Sequence, residues 1–292
     1  MDNGNDFVYF VNTQGKRAVL SSPENRNYWE LIGRTGFTAP EVDIFTEKYA
    51  SGAVKYYGRT LQPRVCSMNM VCVGDSTAER DKVFFEIVDI LMDTEGNGQG
   101  TLYVKRSNGS TVHLNCVYSG GMNITEEYRH LHKFTIDFYA ADPWFYGSEK
   151  VYQVTQIRDY HDGILTLDDV NPGAVGRFTL GPSVTSISLR GGYIVNNTTS
   201  KKFTFAGDSV NQVPLASGNL LTFDFNPRNP QITALSSDGK ISNGSKYFNI
   251  QNTDLDFGFV PGQNVIDFTN LGETAPYDDY MRLYLQYRYL SA

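Results

Sequence analysis

The sequence predicts a mainly β protein of two domains with a single α-helix. Three observations carry that reading. The aromatic content is dominated by 19 Tyr and 18 Phe against two Trp; with Val, Thr and Ile, these rings suit the pleated, half-buried surface of a sheet. Twenty-seven Gly and 11 Pro supply the turn residues that many short strands need. Apolar residues alternate with polar ones through most segments, and only one stretch has a helical period. A length of 292 residues fits about two domains, and 40% hydrophobic residues suffice for real cores.

Taken in order, the first motif is SSPENRNYWELIG (Ser21 to Gly33), whose composition suggests a short turn of helix. Next, Cys66, Met68, Met70 and Cys72 alternate with Val65, Ser67, Asn69, Val71 and Val73, which predicts a strand with one strongly apolar face. Ser76-Thr77-Ala78-Glu79 fits a capping box, in which hydroxyl and carboxylate satisfy unpaired first-turn amides. Behind it, Val83, Ile87 and Leu91 form one stripe and Phe84, Val88 and Met92 an adjoining one, predicting a helix from about Thr77 to Met92 that closes near the glycines of Gly96 to Gly100. Leu102 and Val104 lead into Asn108-Gly109, and Val112, Leu114 and Cys116 return from it, a strong hairpin signal. Phe134, Ile136, Phe138 and Ala140 define another half-buried strand.

Asp142-Pro143-Trp144 should end that strand, because Pro143 lacks a ladder donor and constrains Asp142. These residues form the expected domain junction, dividing the chain into 1–147 and 148–292. Downstream, short strands recur between turns at Asn171-Pro172-Gly173, Gly191-Gly192, Asn226-Pro227, Asp238-Gly239, Asn243-Gly244 and Pro261-Gly262, the spacing of an antiparallel sandwich. In the last segment Met281, Leu283, Leu285, Tyr287 and Tyr289 share one strand face.

Composition also narrows function. A net charge of −7, spread evenly with no basic stripe, lacks the footprint of tight nucleic-acid binding, although an acidic surface suits a conduit through which DNA slides. Cys66, Cys72 and Cys116 are read as reduced, buried thiols; the first two lie on one strand face ~20 Å apart at ~3.3 Å per residue and cannot pair there. The N-terminus has no signal-peptide pattern and no stretch is apolar enough to span a membrane, so the five Asn-x-Ser/Thr sequences read as turns.

Searching for chemistry turns up little. His130-Leu131-His132 would point two rings to one face of a strand start, with His113 on a nearby hairpin, but Cys116 lies on the opposite face from His113 and a tetrahedral metal set is not assembled; His161 stands apart. No G-x-S-x-G elbow and no phosphate loop occurs, and GNGQG (Gly96 to Gly100) reads as a plain loop. Asp168-Asp169 and Asp278-Asp279 are adjacent acids that diverge in extended chain, and YHDG with LDDVN lacks calcium-loop spacing. Neither catalysis, cofactor nor metal is expected.

Several motifs, in order, resemble the distal tail protein family of long-tailed bacteriophages. They are YFVNTQGKRAVL (Tyr9 to Leu20), the Gly-Phe-x-x-Pro segment at Gly36, Phe37 and Pro40, Gly58 before a strand and Arg64 after it. The capped helix and the hairpin GTLYVKRSNGSTVHLNCVYSGG (Gly100 to Gly121) follow. Then come Asp142, Pro143 and Trp144, and a Pro-Gly-x-Asn-x-Ile pattern at Pro261, Gly262, Asn264 and Ile266 before the terminal strand. The specificity lies in order and spacing; Val170 to Pro182 is an untypical entry into the second half.

That resemblance implies a tail-tube-like β-sandwich or split barrel with one helix for 1–147, closing into a hexameric ring or stacked rings, and a peripheral galectin-like β-sandwich for 148–292. It implies a virion tail-tip hub, assembled in the host cytoplasm, that joins the tail tube protein to the tail-associated tip protein and to receptor-binding proteins, with DNA passing through the lumen. Glu41 to Leu61 is then expected to project as a hairpin to the next subunit, with Tyr49, Tyr56 and Tyr57 as interface anchors. The alternative reading is a carbohydrate-binding adhesion module for host cell-wall glycan. Phe203, Phe205, Phe223 and Phe225, however, keep the alternation of core-facing residues.

Overall fold

A computed structural model describes residues 8–21, 29–49, 52, 54–92, 98–106, 108–153, 162–171, 173–181, 187–189, 191–208, 210–226, 230–254, 256–269 and 281–292. The chain divides into two compact units, Met1–Gly147 with Tyr289–Ala292, and Ser148–Arg288. The strand pairings whose register is described are antiparallel, as expected of a chain rich in turn residues.

In the first unit, β1 (Val8–Asn12) pairs with β2 (Arg17–Ser21), and on its other side with β7 (Gln99–Lys105). β3 (Trp29–Thr35) pairs with β6 (Arg64–Val73), and β6 with β9 (Leu131–Ala140). The two halves are joined by β8 (Thr111–Tyr128), which pairs with β7 up to Val117 and with β9 from there on. The strand changes partner at Val117, and its register against β9 then shifts on either side of Gly120 and Gly121. Gly121 has φ +91°, and a Cβ there would lie 2.2 Å from the Thr135 carbonyl oxygen, so only glycine makes this bend. Inside lie Phe10, Cys66, Met68, Met70, Cys72, Leu102, Val104, Leu114, Phe134, Ile136 and Phe138. The predicted alternation of the sixth and ninth strands is therefore what builds this core.

The helix, α1 (Thr77–Met92), caps the core with Val83, Phe84, Ile87 and Leu91. Ser76 Oγ accepts from the Glu79 N–H (3.2 Å), while the Glu79 carboxylate accepts from Asp75 N–H (3.0 Å), one residue earlier than a strict capping box. Val88 is half-buried against the core but Met92 is exposed, because the second stripe turns away from the sheet in the last turn. A buried Arg80 was not anticipated. Its guanidinium donates to the Tyr128 carbonyl (2.5 Å) and pairs with Asp81 (2.7 Å), tying the first helical turn to the end of β8.

Trp29–Gly33 corrects the sequence expectation: it is strand, not helix, held by the pairing of Trp29 with Cys72 and Leu31 with Met70. Ser21 ends β2, while residues 22–28 of that motif, like residues 93–97 after the helix, His161, Pro172, Pro227 and Asp278-Asp279, lie outside the described residues. β4 (Val42–Lys48) and β5 (Val54–Leu61) form a separate two-stranded hairpin, and Gly58 lies inside β5 rather than before a strand.

β10 (Phe145–Gln153) leads into the second unit. There one sheet runs β19 (Ile241–Asn243), β18 (Gln231–Leu235), β17 (Leu220–Asp224), β12 (Val175–Leu180), β21 (Met281–Tyr289), β10. A second contains β11 (Asp162–Val170), β20 (Gly262–Thr269), β14 (Tyr193–Asn196) and β15 (Lys201–Thr204). β13 (Ile187–Leu189) pairs with β16 (Val213–Leu215). Phe178, Leu221, Phe223 and Leu283 of one sheet share a core with Ile194, Phe203, Ile266 and Phe268 of the other. Asp168 and Asp169 are exposed in β11, at a register shift where Asp169 has φ +55°.

The terminal strand keeps its expected alternation only through Leu285. Tyr287 is half-buried, Arg288 is buried with its guanidinium on the Gly173 carbonyl, and Tyr289 belongs to the first unit, under the Arg106 guanidinium (4.1 Å). The strand leaves the second unit here, so one face rule cannot run its full length.

Candidate assembly interface

The β4–β5 hairpin carries the candidate interface residues. Its register pairs Val42 with Leu61, Ile44 with Arg59, Thr46 with Tyr56 and Lys48 with Val54, which puts Val42, Ile44, Val54, Tyr56 and Leu61 on one face. Phe45 pairs with Gly58 and Glu47 with Lys55 on the other, and a bulge between Phe45 and Thr46 leaves Tyr57 as the extra residue. Tyr57 hydroxyl bonds Glu47, and the Lys55 ammonium lies 4.9 Å from its ring. Hydrogen bonds to Glu47 and then Tyr49 raise the Tyr57 hydroxyl above its ordinary value.

Every β4 residue is exposed. Ile44 is 65% accessible, Val54 60%, Tyr56 58%, Tyr57 55%, Phe45 52%, Tyr49 44% and Val42 40%. A lone two-stranded ribbon with apolar residues on both faces is marginal in water, and large exposed apolar groups in one place mark contact surfaces. Sequence reasoning singled out Tyr49, Tyr56 and Tyr57 and missed Val42, Ile44, Phe45 and Val54. The missed signal was legible: neither face of this hairpin has the continuous polar row that a solvated side requires.

The motif residues meet at the hairpin's base. Arg64, the first residue of β6, is 3% accessible and its guanidinium donates to four carbonyls: Gly36 (2.6 Å), Thr38 (2.6 Å), Pro143 (2.9 Å) and Leu290 (2.7 Å). It also lies 4.7 Å from the Phe145 ring centroid, and burial lowers its pKa from the ordinary arginine value. Gly36 has φ +78°, and a Cβ there would stand 1.9 Å from the Val65 carbonyl oxygen. Phe37 is buried and stacks on Phe145 at 6.1 Å. Asp142 accepts from the Trp144 N–H (3.3 Å) and from the Tyr146 hydroxyl, so Asp142, Pro143 and Trp144 form a tight turn between β9 and β10, with Pro143 buried. Gly36, Arg64 and Pro143, more than a hundred residues apart at the extremes, are thus one cluster.

In the second unit, buried Asn264 donates to the Val260 carbonyl (2.7 Å) and accepts from the Val260 N–H (3.0 Å), bridging the Pro261-Gly262 turn; buried Asn196 donates to its side-chain oxygen (3.0 Å). The Pro-Gly-x-Asn pattern is therefore a turn clamp.

The candidate chemical residues do not converge. His132 is buried beside Glu127 (3.3 Å), whereas His130 is exposed in the preceding turn, so they do not share an environment as the sequence suggested. His113 is half-buried between Tyr103 and Tyr146. Among the described residues no three His, Cys, Asp or Glu side chains are grouped to hold a metal, and no helix is long and apolar enough to cross a membrane.

No protein-family model and no curated protein matches the sequence. Solved structures do match. SPP1 Dit (gp 19.1), described as a paradigm of the hub adsorption apparatus in phages that infect Gram-positive hosts, aligns with TM-score 0.65 and 12% identity over 97% of this chain and 99% of that one. A chain of the phage P2 baseplate activated with Ca aligns with TM-score 0.54 and 7% identity over 98% and 99%, and one activated with Sr with 0.54 and 8% over 99% and 100%. Along nearly its whole length, this chain has the fold of phage hub and baseplate proteins such as SPP1 Dit.

Proposed function

We propose that the chain is a structural hub of a phage tail tip rather than an enzyme. The observation that carries this is the shared fold, which takes in 97% of this chain and 99% of SPP1 Dit. In this reading copies of the first unit, 1–147 with 289–292, close side to side into a hexameric ring around a lumen through which DNA passes. The ring joins the tail tube protein to the tail-associated tip protein. The second unit, 148–288, is a galectin-like sandwich on the periphery that faces receptor-binding proteins. The site of action is the virion tail tip, after assembly in the host cytoplasm.

The exposed hairpin supports ring closure on physical grounds. It presents one largely apolar face, with Phe45 and Tyr57 exposed besides, and burying them against a neighbour offsets the cost of exposing them in the monomer. Contacts between unlike patches close into a ring when the rotation between copies divides a full turn. Tyr49, Tyr56 and Tyr57, with Ile44 and Phe45, are the residues we place at that contact.

Mass measurement in solution tests the reading: a hexamer or a stack of two rings is expected. Deleting Ala50 to Lys55 should abolish the ring and leave a folded monomer. Ile44→Asp should do the same while changing monomer stability by no more than about 0.5 kcal/mol, because the side chain is exposed there. A ring of unchanged mass in both variants would sink the hairpin assignment. The adhesin alternative has less support, since Phe203, Phe205 and Phe223 belong to the core rather than to an exposed aromatic platform.

A further inference from the structure

The second unit carries a cleft of about 260 Å³ between β17, β18, β15 and the segment that follows β19. Ligand pockets for larger molecules span roughly 300–1,000 Å³, so this one has room for a single small group. Its floor is Phe203 and Phe223, both buried, and its walls include half-buried Phe225 and Phe248. Phe225 lies across Phe203 at 78° (5.6 Å) and Phe248 parallel to it at 14° (5.9 Å), so the lining rings stand in two orientations.

Asp224 and Asp254 also line the cleft, and none of its described lining residues is basic. Each is anchored by a backbone N–H: Asp224 accepts from Asn226 (2.9 Å) and Asp254 from Lys202 (2.7 Å). The nearby lysine charges are engaged elsewhere. Lys201 pairs with Asp256 at 2.9 Å, and the Lys202 ammonium lies 3.9 Å from the Tyr193 ring centroid.

Phenyl faces and carboxylates both attract positive charge, and a ring-lined pocket of this kind suits an alkylated ammonium whose body is apolar. A sugar would need several polar side chains that converge on its hydroxyls. Here Asn243 and Thr253 are engaged within the protein. Asn243 Oδ1 accepts from the Ser245 N–H (2.8 Å), and Thr253 Oγ1 donates to the Asn249 carbonyl (2.7 Å) and accepts from the Thr204 N–H (3.0 Å). We propose that this cleft binds a small organic ammonium ion, its charge held between the phenyl rings and the Asp224 and Asp254 carboxylates.

The inference rests on the second unit alone and stands or falls apart from the ring. Titration calorimetry on the full chain tests it, with choline as the probe, 3,3-dimethylbutan-1-ol as its uncharged isostere and N-acetylglucosamine as a neutral sugar. Saturable choline binding is expected, with the isostere at least about tenfold weaker. The double variant Asp224→Asn, Asp254→Asn should weaken choline by at least about tenfold. Equal affinity for choline and its isostere would overturn the proposal, as would binding of the sugar in preference to choline. So would the absence of saturation by choline at about 50 mM, well above a millimolar Kd. The isostere comparison uses the unaltered protein, so it decides the question even if the double variant fails to fold.

Discussion

At the residue scale, a buried cation without a carboxylate partner holds much of the first unit together. Arg64 satisfies four backbone carbonyls drawn from Gly36, Thr38, Pro143 and Leu290. Replacing it removes charge-assisted hydrogen bonds and strands those carbonyls in a dry site. Arg64→Met should cost about 3 kcal/mol in urea unfolding, and Lys should rescue only in part because a point charge cannot fork to four acceptors. The three cysteines make a contrasting case. All are buried, and burial pushes the Cys66 thiol up to about 12, Cys72 to about 11 and Cys116 higher still. Since the thiolate is the nucleophile, a disulfide reagent at pH 8 should label none of them in the native chain and all three after unfolding. Rapid labelling of any one would show that its strand opens readily.

At the element scale, β1, β7, β8 and β10 carry a row of stacked side chains on the face away from the core. The Arg17 guanidinium lies 3.8 Å from the Tyr9 centroid, Tyr9 stacks on Tyr103 at 4.7 Å, Tyr103 meets His113 at 5.7 Å, and His113 meets Tyr146 at 5.8 Å. Direct cross-strand pairing of Tyr9 with Tyr103, Tyr103 with His113 and His113 with Tyr146 sets this row. Burial lowers the His113 pKa from its ordinary value of 6.5. The folded state therefore binds a proton less readily than the unfolded one. Its contribution is fully present above pH 6.5 and is lost as pH falls through that value towards the lower folded pKa. His113→Phe, which keeps a ring in the row, should flatten the loss of stability on acidification from about pH 7 to pH 5; an unchanged slope would place the titration elsewhere. The helix and the β7–β8 hairpin were legible from capping, period and Asn-Gly chemistry, all local signals. The second half of β8 was not, because its partner, β9, lies later in the chain and leaves no local signal in it.

At the scale of the whole molecule, the chain's last residues return to its first unit. The Ala292 N–H donates to the Phe37 carbonyl (3.0 Å), and the Leu290 carbonyl accepts from Arg64. Removing 289–292 should lower the stability of the first unit by about 2 kcal/mol and leave the second unchanged, read as two transitions in calorimetry. A loss confined to the second unit would contradict the placement of Tyr289–Ala292.

The sequence by itself determined the class of the protein: β throughout, one capped helix, and strands whose buried faces alternate as written at Cys66–Cys72 and Phe134–Ala140. Those are properties of neighbours in the chain, set by side-chain period and turn chemistry. Only tertiary structure decided that Trp29–Gly33 is strand and that Arg64 meets Gly36 and Pro143. Each of these depends on what a segment packs against, and partners far away in sequence leave no periodic trace in the segment itself.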